Sequence, residues 1–200
     1  MQGQLYVISG PSGVGKSTVI RKLRKKIPDL GYSVSHTSRK PRKNEKDGLD
    51  YHFIDKKTFK SMIAEGSFVE WAEVYQDLYG TSFTSLNLPL KQGLDVILDL
   101  DIQGARNIRT HFEHCCLIFF LPPSINELEK RLRGRAQDNN DAMEKRIKSA
   151  LMEIKECAWY DFLIINDDID KAVGDLESII ISDRCHKARM YDQVKKLFKI

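Results

Sequence analysis

Gly10-Pro11-Ser12-Gly13-Val14-Gly15-Lys16-Ser17 is the stretch whose reading decides the fold. It fits G-x-x-x-x-G-K-[ST], a glycine loop whose backbone N–H groups cradle phosphates. The flanks suit that reading. Leu5-Tyr6-Val7-Ile8 before it is the short apolar run of a buried parallel strand. Thr18 to Leu23 after it opens a helix, with Val19, Ile20, Leu23 and Ile27 on one face. Strand, loop and helix together aim backbone donors and a helix N-terminus at a polyphosphate. A turn that matched by chance would lack these flanks. Gly10 to Thr18 is therefore expected to hold a nucleoside triphosphate, with Lys16 reaching the β- and γ-phosphates and the Ser17 hydroxyl on Mg²⁺.

The chain has 200 residues, enough for one domain, or one domain with a mobile insertion, around a sizeable core. Charged residues make up 30% but the net charge is only +4, unlike a protein that coats nucleic acid. A mild positive excess suits an enzyme acting on polyanions. No apolar run approaches the ~20 residues of a membrane span, and the N-terminus lacks the order of a secretory signal. Cys115, Cys116, Cys157 and Cys185 form no C-x-x-C pattern and are expected as buried free thiols in a reducing cytosol. His36, His52, His111, His114 and His186 share no metal-ligand spacing.

Further strands are expected at Tyr32–Val34, Asp95–Leu100, Cys116–Leu121 and Phe162–Ile165, mostly separated by helical patterns. That alternation predicts an α/β fold, a parallel sheet covered by helices on both faces. Two stretches break the rhythm. Residues 35–90 carry short alternating and aromatic segments with little helix beyond Lys57–Glu65, and read as an inserted, partly antiparallel substrate subdomain. Residues 124–156 read as a charged helix pair with a polar tip, a lid over phosphates. The core is then 1–34, 91–123 and 157–200, ending in a helix over Lys171–Ser182 with its apolar face inward. Tyr191–Ile200, basic and apolar by turns, is expected to pack on the core or mediate self-association.

Ser35-His36-Thr37-Ser38-Arg39-Lys40-Pro41-Arg42, followed by Tyr51, is the second signal. Arg39 and Arg42 flank a proline that holds the segment extended or turned. Two guanidinium forks on one rigid loop can grip a single phosphate. The plain alternative is a solvated basic loop, because Lys40, Lys43 and Lys46 crowd the same segment.

The motifs taken in order resemble the guanylate kinase family. They are S-x-x-x-R-x-P-R, D-Y-x-F at Asp50–Phe53, F-V-E-W-A at Phe68–Ala72 and Y-G-T at Tyr79–Thr81. L-D-L-D-I-Q-G at Leu98–Gly104, R-L-x-x-R at Arg131–Arg135 and I-N-D-D at Ile165–Asp168 complete the series. The resemblance covers nearly the whole chain and implies phosphorylation of GMP, and with it dGMP, by ATP with Mg²⁺. It implies that Ser35, Arg39, Arg42, Tyr51 and Tyr79 hold the GMP phosphate. Glu70 reads the guanine N1–H and N2–H₂ donors, with Thr81 and Asp101 beside it. Adenine lacks that donor pair, so a buried carboxylate would reject it. The resemblance also implies that Arg135 and Arg146 close on the ATP phosphates and that Asn166 lies near the adenine. Arg131 joins those two arginines in the lid set.

Asp99 ends the run Val96-Ile97-Leu98-Asp99, as expected of an acidic group that helps organise Mg²⁺ in phosphate-loop enzymes. Asp101-Ile102-Gln103-Gly104 also fits D-x-x-G of GTPases, but the chain has no N-K-x-D, so Asp101 reads as substrate-facing. One departure stands in the phosphate loop: the family's P-R-x-G-E appears with Asn44 in place of the glycine before Glu45. Asn tolerates a left-handed backbone, so the turn is expected to survive.

Two other readings are open: a guanylate-kinase-like scaffold that binds phosphorylated peptides, and a kinase of a ribose phosphate. The intact glycine loop argues against the first, and Glu70, Tyr79 and Thr81 against the second. The expected state is a cytoplasmic monomer or homodimer with no nucleic-acid or membrane partner.

Overall fold

The computed structural model describes residues 3–42, 45–74, 76–112, 114–133 and 140–200. The strands are β1 (Leu5–Ser9), β2 (Gly31–Tyr32), β3 (His36–Thr37), β4 (His52–Phe53), β5 (Phe68–Val74), β6 (Asp77–Ser82), β7 (Val96–Asp99), β8 (Cys115–Leu121) and β9 (Phe162–Ile165). The helices are α1 (Lys16–Lys26), α2 (Lys56–Ala64), α3 (Phe83–Lys91), α4 (Ile102–His111), α5 (Ile125–Arg133), α6 (Asn140–Lys155), α7 (Ile169–Arg184) and α8 (Lys187–Phe198). A 3-10 turn spans Glu156–Trp159.

Two sheets form. The parallel one runs β2-β7-β1-β8-β9 and the mixed one β4-β3-β6-β5. In the mixed sheet β3 pairs parallel with β4 and antiparallel with β6, and β5 and β6 form an antiparallel hairpin. The central strands of the parallel sheet are fully buried, which is why β1 and β8 read as unbroken apolar runs. The fold class expected from the sequence is therefore the one observed.

By contact the chain divides into two compact units, residues 8–28 with 116–200 and residues 2–7 with 29–115. In the first, α1 turns Val19, Ile20 and Leu23 inward, and α7 buries Ala172, Val173, Leu176 and Ile180. Lys22–Asp170 (2.7 Å) and Lys26–Glu177 (3.0 Å) lace the outer edges of these two helices. In the second, Phe59 from α2 stacks on Phe68 of β5 (centroids 4.4 Å apart) and packs with Leu78 of β6. This small core fixes one face of the β5–β6 hairpin.

The structure corrects the sequence reading in three places. α3 lies within residues read as nearly helix-free. Ser82 caps it by accepting from Ser85 N, and Leu86 and Leu90 anchor it one turn apart. Pro89 disguised it, yet it sits late enough to be tolerated. The helix expected to end the chain is longer, Ile169–Arg184, and α8 follows it, capped by the His186 ring accepting from Ala188 N. The four cysteines are free, but only Cys115 and Cys116 are buried; Cys185 caps α7 at its exposed end. No helix among the described residues is long and apolar enough to cross a membrane.

Phe59 is completely buried in a core of only a few side chains, so the cavity left by Phe59→Ala cannot be refilled. Urea denaturation is expected to show a loss of about 3–5 kcal/mol.

Candidate active site

The glycine loop is built in the first unit. Gly10, Gly13 and Gly15 take φ of 142°, 84° and 105°. At Gly15 the need for glycine is double: φ is left-handed, and a β-carbon would run into the Asn166 side-chain nitrogen. Gly15 is also the N-cap of α1 and offers no side-chain cap, and no acid stands in the first turn. The positive end of the helix is thus left to an anion. The Lys16 ammonium folds back and donates to the Gly10 carbonyl.

Asn166 and Arg131 brace the loop. The buried Asn166 amide donates to the Val14 carbonyl (2.7 Å). Arg131 donates to Val14 O (3.3 Å) and through both Nη atoms to Asn166 O (3.2 Å), while Nε holds Glu127 (3.1 Å). Arg131, grouped with the lid arginines by the sequence, thus gives four of its five donors to Glu127 and to the Val14 and Asn166 carbonyls. A cavity of about 640 Å³ opens beside the loop, lined by Gly13, Gly15, Thr18, Lys22, Arg131, Asn166 and the run Asp167 to Asp170. The sequence reading missed Lys22 and Asp170. Lys22 was within reach of it, because it lies one helical turn after Thr18.

A second cavity, about 220 Å³, lies in the other unit, lined by Ser35, Tyr51, Glu70, Ala72, Tyr79, Gly80, Asp99, Leu100 and Asp101. Six of these nine were expected to touch substrate or metal. The β5–β6 register explains how Glu70 enters it. Phe68 pairs with Ser82 and Glu70 with Thr81, so β5 carries an extra residue between them. Without the bulge, Phe68 and Glu70 would share a face. With it, Phe68 stays in the apolar core with Leu78, and Glu70 points the other way with Ala72, Tyr79 and Thr81. Thr81 is fully buried, 3.3 Å from the Ser35 hydroxyl.

Glu70 is only 7% exposed. Burial pushes its carboxyl up to about 7, hydrogen bonds from Thr81 oppose the shift, and the Asp101 charge adds to it. Asp101 caps α4 by accepting from Gly104 N (2.7 Å). Gly104 is needed for close approach: a β-carbon there would lie 3.3 Å from both Glu70 Oε2 and Asp101 Oδ1. Tyr51 is raised, first by burial and then by Asp99.

The arginine loop differs from two open forks. Both Nη atoms of Arg39 donate to the Glu45 carboxylate, at 2.8 and 2.9 Å. Arg42 is exposed, and its backbone N–H also donates to Glu45 (2.7 Å). Glu45 is a residue to which sequence reasoning gave no role. Arg146 is half-buried on α6. Arg135 and Asn44 lie outside the described residues.

A glycine loop beside one cavity and a small polar cavity holding a buried carboxylate define a phosphoryl-transfer enzyme of the phosphate-loop class. The family model described as "Guanylate kinase" matches residues 2–183. The chain is 45% identical to a guanylate kinase of Geobacter metallireducens, over 98% of this chain and 97% of that protein. It is 47% identical to one from Escherichia coli K12, over 94% and 92% of the two chains. The crystal structure of guanylate kinase from Anaplasma phagocytophilum superposes with a TM-score of 0.81 at 32% identity, covering 100% and 97% of the chains. The chain belongs to the guanylate kinase family. Matches of this length favour the kinase over the scaffold and sugar-phosphate readings.

Glu70→Gln gives a pH-dependent prediction. A carboxyl raised by folding is accommodated without loss below its ordinary value near 4.5, and its ionisation opposes folding progressively up to and beyond about 7. The always-neutral glutamine escapes that penalty. Glu70→Gln is expected to come close to the parent's stability at pH 4 and exceed it at pH 8 by about 2–3 kcal/mol, measured by denaturant melts at both pH values.

Proposed function

We propose that the protein transfers the γ-phosphoryl group of ATP to GMP, and to dGMP, and that the residues assigned below carry the reaction. The observation that supports this most is Glu70: a carboxylate buried with no cation beside it among the described residues, at the wall of a small cavity in a chain of this family. Such a group wants a ligand with two adjacent N–H donors, which guanine supplies at N1 and N2. Thr81 and Asp101 stand beside it. Ser35, Arg39, Arg42, Tyr51 and Tyr79 hold the acceptor phosphate. Residues 35–90 form the acceptor subdomain and 124–156 the lid, on a core of 1–34, 91–123 and 157–200.

Gly10 to Thr18 cradle the donor phosphates, and Asn166 lines the same cavity toward the adenosine. The acceptor phosphate is already an oxyanion, since a monoester's second pKa is near 6, so no general base is needed. Catalysis consists of alignment and charge neutralisation. Lys16 leaves the Gly10 carbonyl for the β- and γ-phosphates, and Arg135 and Arg146 close on them. Closure also keeps water from the γ-phosphate.

Mg²⁺ arrives with ATP, the Ser17 hydroxyl and Asp99 carboxylate being its proposed protein ligands. Among the described residues no three His, Cys, Asp or Glu gather around a metal. So small a donor set fits an ion that keeps most of its shell from phosphate and water. An Mg²⁺ held there would supply charge neutralisation at the transferring phosphoryl group. The near-balanced charge and free thiols support a cytoplasmic monomer or homodimer that acts on free nucleotides rather than nucleic acid.

A coupled ADP-release assay tests the reading. GMP and dGMP are expected to turn over fast. IMP, which lacks the 2-amino group, loses one charged hydrogen bond and about 10–100-fold in kcat/KM. AMP falls by roughly 10⁴-fold or more. Lys16→Ala is expected to lower kcat by about 10²–10³-fold with GMP binding retained. Equal turnover of GMP and AMP would refute the assignment of Glu70.

A further inference from the structure

Arg39 has five N–H donors, and their use in this structure is uneven. The end-on pair, one proton each from Nη1 and Nη2, is taken by the two oxygens of Glu45 at 2.8 and 2.9 Å. The second Nη1 proton goes to the Lys40 carbonyl at 2.7 Å. Nε is buried and has no hydrogen-bond partner among the described residues. In a guanidinium the Nε proton and the outer Nη2 proton lie side by side and form a second bidentate edge, and the Tyr79 hydroxyl also hydrogen-bonds to this side chain. Two aromatic rings flank the group: the Arg39 Cζ lies 5.5 Å from the Tyr51 ring centroid and 5.7 Å from that of Phe53. Side-chain exposure at the pair is 14% for Arg39 and 18% for Glu45.

Two roles for Glu45 are conceivable: a stand-in that leaves when phosphate arrives, or a fixture that aims Arg39. The bonding favours the fixture. Glu45 Oε2 also accepts from Arg42 N (2.7 Å), and Glu45 N donates to Arg42 O (3.0 Å), closing the turn. A carboxylate that left Arg39 would also give up the bond from Arg42 N. A buried donor without a partner is costly, and here it lies on the edge Glu45 does not use. Tyr51, against one face of Arg39, lines the Glu70 cavity.

We propose that Glu45 is a positioning residue: it locks Arg39 through the end-on edge so that the Nε/Nη2 edge grips the acceptor phosphate. The inference rests on the reading of Arg39 as an acceptor-phosphate ligand. The Glu45 carboxyl is held below its ordinary range, chiefly by the Arg39 hydrogen bonds, so it stays ionised wherever the enzyme works.

A double-mutant cycle on the full chain tests it. Glu45→Ala and Glu45→Gln are expected to raise the Kd and KM for GMP about tenfold or more while the KM for ATP changes by less than roughly twofold. In an Arg39→Ala background, Glu45→Ala should add less than about twofold, because it acts through the missing side chain. Tighter GMP binding by Glu45→Ala would make Glu45 a competitor and overturn the proposal. Independent, multiplying losses would do the same, and so would an equal loss for ATP, the mark of a general folding defect. In the unsubstituted protein, the Arg39 ¹⁵Nε resonance should shift on adding GMP or inorganic phosphate; an unmoved resonance refutes the edge assignment. Turnover of GMP by the unsubstituted enzyme tests the underlying reading separately, and the inorganic-phosphate titration does not depend on it.

Discussion

Glu70 imposes the constraint to which the acceptor unit is fitted. A carboxylate removed from water needs either a cation or several donors, and among the described residues Glu70 has the hydrogen bonds of Thr81 to offset burial and the nearby Asp101. Its carboxyl rises to about 7 as a result. The β5 bulge turns it out of the apolar core, Gly104 leaves room for it, and the cap at Asp101 holds the adjoining helix start in place. An unsatisfied group of this kind is a stored preference for a ligand that completes it. On the proposed reading of Glu70, a base without two donors would leave the carboxylate buried without its ligand and so be rejected.

The glycine loop meets the opposite demand, that of holding concentrated negative charge. It uses backbone donors and a helix end, which need no reorganisation once the chain is closed. Closure in turn depends on groups that never need to touch a phosphate. Asn166 and Arg131 spend their donors on the carbonyls of Val14 and Asn166, so the loop's N–H groups can face the other way. The same division of labour recurs at Arg39, where Glu45, Tyr51 and Phe53 fix a guanidinium that would otherwise sample many rotamers.

Much of this was legible in the sequence. The loop at Gly10–Ser17 and the buried strands carry short-range signals, because glycine at positive φ and unbroken apolar runs are local requirements. Glu70, Ser35, Tyr51, Tyr79, Asp99 and Asp101, scattered over 67 positions, meet at one cavity, and only motif order linked them beforehand. What escaped depends on tertiary context. α3 was masked by Pro89, and α8 by its mixed charge. The bonds of Arg131 to the Val14 and Asn166 carbonyls were not legible, because nothing local in the sequence names those partners. Glu45 looked like turn punctuation, since a carboxylate six residues from an arginine has no fixed spatial relation to it until the loop closes.

The most direct measurement is the ionisation of Glu70 itself, followed by ¹³C NMR of its side-chain carboxyl with and without bound GMP. The account predicts a midpoint near 7 in the free enzyme and one below the ordinary range, under about 4, once guanine donates to it. A free-enzyme midpoint near 4.5 would contradict burial of the carboxylate without a cation, and a midpoint unmoved by GMP would show that Glu70 does not read the base.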